Sequence, residues 1–430
     1  MKKGVILGPV AVPAQKRDHD VDVEIPAKEF HESLSAWYRE HARKLPWRGV
    51  NDPYATWLSE IMLQQTRVAT VIDRYQEFLV RFPALSDLAH AEESEVLALW
   101  SGLGYYRRAR MLHRGAQFVV RELEGKLPRT AVELRTLPGV GAYTAAAIAS
   151  IAFGESVAVV DGNVERVLLR IMGLPEESSG KGRARVGRAA ASLVPAAAKR
   201  KGRSNPPGDH NQAMMELGAT ICLPKSPLCQ QCPVFAYCRT RGEHVTEPRE
   251  KQKSSIVAHL LAVRKLGTET EVLLERRSTA ASLMPGMLEL PPLPLTATKG
   301  REPVLRVRHA ITNTNYYAQI FSEGAAGAAL AGESHETADR DMGEDRLSDP
   351  AHGEDAAEDI FGDELFVATA DESRLFEGES SQSLLGEIPA AAGDLHWTPT
   401  RRLREVPLTG LARKVLQRLG VMQIPAVKIG

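Results

Sequence analysis

The sequence predicts an all-α domain followed by a smaller α+β domain. From about residue 28 to 240, apolar residues recur at helical spacing, and Pro and Gly interrupt the pattern between segments. After about residue 250 the pattern changes, and residues 256–263, 271–275 and 316–321 are typical of strands. The four cysteines of the chain lie within 17 residues, near the end of the helical part.

These changes of pattern divide the chain into segments. We expect a flexible leader at 1–27, the helical domain at 28–242, a linker at 243–254 and the α+β domain at 255–425. Residues 323–360 are mostly Ala, Gly, Glu and Asp. They predict a disordered insertion, because so few large apolar side chains cannot offset the entropy lost on ordering.

Helical spacing is clearest over 30–41, 57–82, 94–100 and 145–152. Residues 178–209 are instead rich in Lys, Arg, Gly and Ser. This composition predicts that one part of the segment is a helix and the other part an exposed loop.

The charge is unevenly distributed. The formal net charge is zero, yet residues 323–394 hold 20 Asp and Glu against 3 Lys and Arg. The remainder of the chain therefore has 51 basic and 34 acidic residues. This asymmetry is typical of a polyanion-binding body with an acidic appendage, and equally of a solvated surface with uneven charge.

The cysteines indicate a metal centre. Their spacing is C-x6-C-x2-C-x5-C, formed by Cys222, Cys229, Cys232 and Cys238. With no evident signal peptide or membrane span, we expect a soluble chain in a reducing, intracellular setting, where clustered thiolates hold metals. Four cysteines in one tight loop fit a [4Fe–4S] cluster, and zinc is the alternative.

Two further features suggest a ligand site. Gly139 and Gly141 form a turn before an Ala-rich helix, where the backbone can approach a phosphate closely. An ordinary turn between helices is the alternative. Asp161 follows an apolar run and precedes Gly162, a pattern that also fits a helix cap.

Taken in order, these features resemble the MutY branch of the helix-hairpin-helix DNA glycosylases. The resemblance runs from about 30 to 240 and rests on the segments 45–48, 57–66 and 103–110, on the glycine turn, and on the cysteine spacing. It implies a helical fold in two lobes with double-stranded DNA between them. It also implies a [4Fe–4S] cluster and excision of adenine mispaired with 8-oxoguanine or guanine.

Cleaving an N-glycosidic bond requires an acid for the leaving base and a negative group for the sugar cation. Glu60 lies among apolar residues, so burial should raise its pKa and keep it protonated as the general acid. The resemblance directs that proton to N7 of adenine. Asp161 is the expected ionised partner, and Asn163 is expected to position Asp161 or a water.

Residue 143 distinguishes two types of glycosylase. In endonuclease III, the corresponding residue is a lysine that forms a Schiff base, whereas this chain has Tyr143. We therefore expect a monofunctional enzyme, with Tyr143 bonded near Asp161 or the sugar. The alternatives are an endonuclease III-like pyrimidine glycosylase and lyase, and a non-catalytic DNA-binding module.

The resemblance also implies DNA contacts, since the target base must leave the duplex. Gln65 and Tyr105 are expected to enter the base stack, although Tyr105 could instead be a packing residue. The other residues expected to contact the substrate or the DNA are Trp47, Arg48, Gln64, Gly139, Gly141 and Gln212.

In the second domain, residues 283–291 and 397–419 resemble the Nudix-like domain of the same family, without a hydrolase box of clustered glutamates. The family's Phe-Ser-His trio, which reads 8-oxoguanine, is replaced here by Ile311, Thr312 and Asn313. This departure leaves the preference for 8-oxoguanine over guanine open. We expect a monomer in the bacterial cytoplasm, associated with the nucleoid and not with a membrane.

Overall fold

A computed structural model describes residues 25–50, 52–175, 180–197, 205–244, 252–311, 313–323, 383–390 and 392–422. Several predictions from the sequence fall outside these residues. They concern 1–24 of the expected leader, 245–251 of the linker, 324–360 of the insertion, and Thr312.

The first half of the described chain is helical. Its helices are α1 (Ala27–His41), α2 (Pro53–Leu63), α3 (Val68–Arg81), α4 (Leu85–His90), α5 (Glu93–Leu99), α6 (Arg107–Glu122), α7 (Ala131–Leu134), α8 (Ala142–Phe153), α9 (Gly162–Met172), α10 (Gly180–Leu193) and α11 (Pro206–Thr220). Among the residues described here, no helix is both long and apolar enough to cross a bilayer.

The segment 57–82, where helical spacing is clear, forms two helices and not one. The chain leaves the helical conformation at Gln64, and Gln65 has a φ of 54°, which a right-handed helix cannot contain. Helix α3 begins only at Val68. The apolar spacing continues across the break, so periodicity alone could not locate it.

The helices form two lobes, each with its own apolar core. The first lobe contains α2 to α8 and buries large aromatic side chains, including Trp57, Phe78 and Trp100. The second lobe contains α1 and α9 to α11, packed around Phe30 and Leu217 among others. The two lobes are in contact where α8 of the first packs against α11 of the second.

The second domain is a mixed sheet. Its strands are β1 (Lys253–Leu266), β2 (Glu269–Arg276), β3 (Leu288–Glu289), β4 (Pro292–Leu293), β5 (Leu305–Ile311), β6 (Thr314–Glu323) and β7 (Asp394–Pro399). Within the described residues the order is β3-β2-β1-β6-β5, with β4 beside β1 and β7 beside β2. Strands β1 and β6 are parallel, and the other pairs are antiparallel.

One face of this sheet is covered by α12 (Gly410–Arg418). Leu411, Val415 and Leu416 of α12 belong to one buried cluster with Val272 of β2 and Ile320 of β6. Thr409 caps the helix by accepting a hydrogen bond from the backbone N–H of Ala412 at 3.1 Å.

Buried hydrogen bonds join the two domains. Ser101 Oγ and Tyr106 Oη, in the helical domain, both donate to the carbonyl oxygen of Leu408, at 2.9 and 2.8 Å. Arg413 Nε of α12 donates to Ser101 Oγ at 2.6 Å. The fully buried Met287 belongs to the apolar cluster of the first helical lobe, so the contact is also apolar.

Gly139 gives a direct test of the turn before α8. Its φ is 77°, and a Cβ added there would overlap the side chain of Met111 on α6. We expect Gly139→Ala to lower the free energy of unfolding by about 2–4 kcal/mol, measured by urea denaturation. Gly141→Ala is the matched control. Its φ is −86° and nothing lies within 4 Å of the added Cβ, so a loss below about 1 kcal/mol is expected. Equal losses in both variants would contradict the steric argument.

Candidate active site

A cleft of about 1810 Å³ is lined by residues of both helical lobes and of the sheet domain. Most of the predicted site residues meet there. The lining includes Trp47, Arg48, Glu60, Gln64, Gln65, Tyr105, Gly139, Gly141, Tyr143, Asp161, Asn163, Gln212 and Ile311.

Glu60 is the buried carboxyl group of this cleft. It lies on α2, where every residue from Tyr54 to Met62 is buried, and it is only 6% exposed. Burial raises the pKa of Glu60 to about 7. A hydrogen bond from Tyr143 opposes this shift, and the negative charge of Asp161 adds to it. At neutral pH, Glu60 can therefore hold and release a proton.

Tyr143 bridges the two lobes at the site. Its hydroxyl donates to Glu60 Oε2 at 2.8 Å and also contacts Met215 Sδ on α11, at 3.4 Å. The sequence predicts a bond of Tyr143 near Asp161 or the sugar, and in the structure its hydroxyl is bonded to Glu60. The reason is helix packing, since α8 lies directly against α2. Burial, and then the charges of Glu60 and Asp161, raise the pKa of Tyr143 well above its usual value, so the phenol stays neutral.

Asp161 has two functions in the structure. It is the N-cap of α9, where Oδ1 accepts from the backbone N–H of Val164 at 2.7 Å. Its other oxygen, Oδ2, accepts from Asn163 Nδ2 at 3.4 Å. Arg166 donates to Asn163 Oδ1 at 2.9 Å and so orients that amide. Asp161 therefore caps α9 and also lines the cleft.

A second buried carboxylate, Glu216 on α11, also lines the cleft. Burial would raise its pKa, but hydrogen bonds from Arg43 and Arg48 outweigh burial and lower it to about 2. Arg43 donates twice through its guanidinium at 2.9 Å, and Arg48 Nη2 lies 2.5 Å away. Glu216 and Arg43 are not among the predicted site residues. The available signal was the one used for Glu60, an acidic residue among apolar neighbours on a helix.

The other predicted pocket residues lie close to this ion pair. Gln212 Oε1 accepts from Tyr38 Oη at 3.4 Å, and the Arg48 guanidinium lies over the Tyr38 ring, 5.4 Å from its centroid. Trp47 is 8% exposed and packs edge-on against Tyr75, so most of its ring belongs to the core. Only the remaining part of Trp47 faces the cleft.

Gln65 and Tyr105 lie on two loops at the mouth of the cleft. Both have positive φ values, 54° and 48°, which are rare for residues other than glycine. Tyr105 is 47% exposed, which excludes the packing interpretation. Gln64, the residue before Gln65, instead donates inward to Thr144 Oγ1 at 3.1 Å.

The tip of the β5–β6 hairpin reaches the same cleft from the sheet domain. Ile311 and His309 are half-buried there, and the exposed Ala310 also lines the cleft. Asn313 is exposed, and the lining of the cleft does not include it. Of the two residues of the predicted trio that the structure describes, Ile311 lines the cleft and Asn313 does not.

The four cysteines lie in the loop that follows α11, and none forms a disulfide. Arg170 holds this loop by donating to Cys222 Sγ at 3.5 Å and to the carbonyl oxygen of Leu223 at 2.6 Å. Burial, and then the other three thiols, raise the pKa of Cys232 to about 11.

The four thiols lie within one loop of 17 residues, and their donor chemistry fits a metal centre. In the part of the chain that the structure describes, however, no group of three or more His, Cys, Asp or Glu is arranged to hold a metal ion. The thiols would have to lose protons and close up when metal binds.

The chain is similar to a known protein family and to several known proteins. Residues 58–192 match a family model described as HhH-GPD superfamily base excision DNA repair protein. The chain is 50% identical to human adenine DNA glycosylase over 222 residues, covering 49% of this chain and 39% of that protein. It is 34% identical to the adenine DNA glycosylase of Buchnera aphidicola subsp. Schizaphis graminum, covering 53% and 65%.

Among solved structures, a thermostable thymine-DNA glycosylase is 30% identical, with a TM-score of 0.45, covering 50% of this chain and 96% of that one. The matched part of the chain spans about two fifths of the length of human adenine DNA glycosylase.

The raised pKa of Glu60 predicts a dependence of stability on pH. The Glu60 carboxyl has a pKa of about 7 in the folded protein against an unperturbed value of 4.5. Its contribution to the free energy of unfolding is therefore fully present below about pH 4.5 and is lost as the pH rises through 7. Glu60→Gln abolishes this pH-dependent loss of stability, because glutamine does not ionise. Relative to wild type, the variant should gain roughly 2–3 kcal/mol of unfolding free energy between about pH 5 and pH 8 in urea titrations. Glu124→Gln controls for losing an exposed carboxylate, and the same trend in both variants would contradict the burial argument.

Proposed function

We propose, since residues 58–192 belong to the HhH-GPD superfamily of base excision DNA repair proteins, that this protein hydrolyses the N-glycosidic bond of adenine mispaired with 8-oxoguanine or guanine. The observation that carries the proposal is the buried Glu60, hydrogen-bonded to Tyr143 and facing the charge of Asp161 in a shared cleft. The curated relatives named adenine DNA glycosylase support adenine as the base.

Glu60 supplies the proton that a leaving purine needs. With a pKa of about 7, a substantial fraction of Glu60 is protonated at neutral pH and can protonate N7 of an adenine held in the cleft. Tyr143 keeps the carboxyl in one orientation and, as a neutral phenol, can stabilise the carboxylate formed after proton transfer.

Asp161 stabilises the positive charge that develops on the sugar as the bond breaks. Its place at the N-cap of α9 fixes the carboxylate, so little reorganisation is needed during the reaction. Asn163 holds the second oxygen and so limits rotation of the group. Water completes the hydrolysis, and no lysine stands at position 143 to form a Schiff base.

The rest of the cleft suits an extruded adenine. Glu216 accepts hydrogen bonds, Arg48 and Gln212 add donors, and the exposed part of Trp47 offers an apolar edge. Gln65 and Tyr105 stand at the entrance, where they can fill the space left in the base stack. Gly141 leaves the start of α8 open to a DNA phosphate, because nothing lies within 4 Å of a Cβ built there, and Gly139 allows the turn that precedes it.

The sheet domain contacts the opposite strand in this proposal. Ile311 lies in the cleft and can wedge beside the base opposite adenine, while the exposed Asn313 can donate or accept a hydrogen bond there. The mixed sheet that the described residues form, with its covering helix α12, is consistent with a Nudix-like domain. Preference for 8-oxoguanine over guanine would follow from this hairpin.

The cysteine loop would hold a [4Fe–4S] cluster through Cys222, Cys229, Cys232 and Cys238. When bound, the cluster supplies a rigid cross-link of the loop and takes no part in the hydrolysis. Lys225, Arg239 and Arg241 lie in or just after this loop and could then meet DNA phosphates.

The proposal predicts alkali-labile cleavage at adenine in a duplex with one adenine opposite 8-oxoguanine or guanine. Asp161→Asn should lower the single-turnover rate at least about a hundredfold while binding persists, because asparagine can still cap α9. Electrophoresis after alkali measures cleavage, and fluorescence anisotropy measures binding. An unreacted adenine, with thymine-glycol DNA nicked under the same conditions, would instead support the pyrimidine lyase alternative.

The metal proposal has its own test. Purified protein should contain about four iron and four sulfide per chain and show the broad visible absorbance of iron–sulfur proteins. Replacing Cys232 with Ala should remove that absorbance. Zinc in place of iron, in protein prepared without oxygen, would contradict the cluster assignment.

A further inference from the structure

Arg108, the second residue of α6, connects the two loops at the mouth of the cleft. Its Nη1 donates to the carbonyl oxygens of Ile61 and Met62, at 2.7 and 3.1 Å, and to that of Gln64. These carbonyls end α2 and lack N–H partners within the helix. A cation is also favoured at this negative end of the helix dipole.

The other terminal nitrogen of Arg108 holds the second loop. Nη2 donates to the carbonyl oxygens of Leu103 and Gly104, at 3.0 and 3.2 Å, and to Thr66 Oγ1 at 3.0 Å. A single guanidinium thus ties residues 64–66 to residues 103–104. Its rigid planar fork can do this where the single ammonium of a lysine cannot.

Each of these loops contains one of the strained residues described above. The left-handed backbone conformations of Gln65 and Tyr105 are strained and persist only where their surroundings enforce them. Arg108 donates hydrogen bonds to the carbonyl oxygens of Gln64 and Gly104, the residues that precede Gln65 and Tyr105. Its guanidinium also lies 5.5 Å from the centroid of the Tyr105 ring.

We propose that Arg108 is a positioning residue, which holds Gln65 and Tyr105 together in the conformation that enters the base stack and keeps the target base extruded. The proposal rests on the proposed function for the identity of that base. Arg108 makes no contact with the reacting atoms, because its bonds are made to the two loops. Its effect therefore falls on base extrusion and not on the chemical step.

The test compares Arg108→Met, which keeps the length of the side chain but removes the donors, with Arg108→Lys. Arg121→Met is the matched control, because Arg121 lies on the same helix, is 71% exposed and pairs with the adjacent Glu122. Each protein is mixed with a duplex carrying 2-aminopurine in place of the mispaired adenine. The fluorescence of 2-aminopurine rises when it unstacks, and anisotropy reports binding.

At saturating protein, Arg108→Met should lose about 10- to 100-fold in the extrusion rate and in single-turnover adenine excision. Arg108→Lys should recover only part of this loss, and Arg121→Met should match wild type. The loss should shrink when the adenine lies opposite an abasic site, where less stacking must be broken. General destabilisation would lower activity on both substrates equally.

Equal extrusion by Arg108→Met and wild type, compared per folded molecule below their melting temperatures, would overturn the positioning assignment. The positioning assignment would also be overturned if Arg108→Met lost the same factor in excision rate on the mispaired adenine and on the adenine opposite an abasic site. The outcome for the proposed function is separate, because it depends on whether wild type cleaves adenine. A wild type that unstacks 2-aminopurine without excising adenine would contradict the glycosylase proposal and leave the extrusion comparison readable.

Discussion

The complete burial of α2 is the constraint on which the rest of the structure depends. Helix α2 packs against α3, α6 and α8, and no residue from Tyr54 to Met62 has a substantial exposed surface. A helix surrounded in this way must satisfy its polar groups inside the protein. Tyr143 does so for the Glu60 carboxyl, and Arg108 does so for the carbonyls at the C-terminal end. The site therefore arises where a buried helix requires polar partners.

Local sequence patterns predicted much of this arrangement. The apolar neighbours of Glu60 indicated its burial, and burial is the largest cause of its raised pKa. The composition of residues 256–263 and 271–275 indicated strands, and both segments lie within β1 and β2. Both predictions depend on residues close together in the chain, where side-chain periodicity follows directly from backbone geometry.

What the sequence could not predict depends on contacts between distant segments. Tyr143 and Glu60 are 83 positions apart, and their bond follows from the packing of α8 on α2. Glu216 has the same local signal as Glu60 but the opposite shift of its pKa, because Arg43 and Arg48 reach it from across the fold. The break after α2 is set by backbone conformation and by Arg108, neither of which alters the apolar spacing.

The bonds between Ser101, Arg413 and Leu408 have a mechanical consequence. Buried and hydrogen-bonded on both sides, they fix how far the β5–β6 hairpin stands from the helical lobes. The width of the opening is thus a property of the folded chain. If the protein acts on a DNA duplex as proposed, a duplex that does not match this width must bend or unstack to fit. Under that proposal the DNA carries the deformation energy, and stiff sequences around the mispair would be bound less readily than flexible ones.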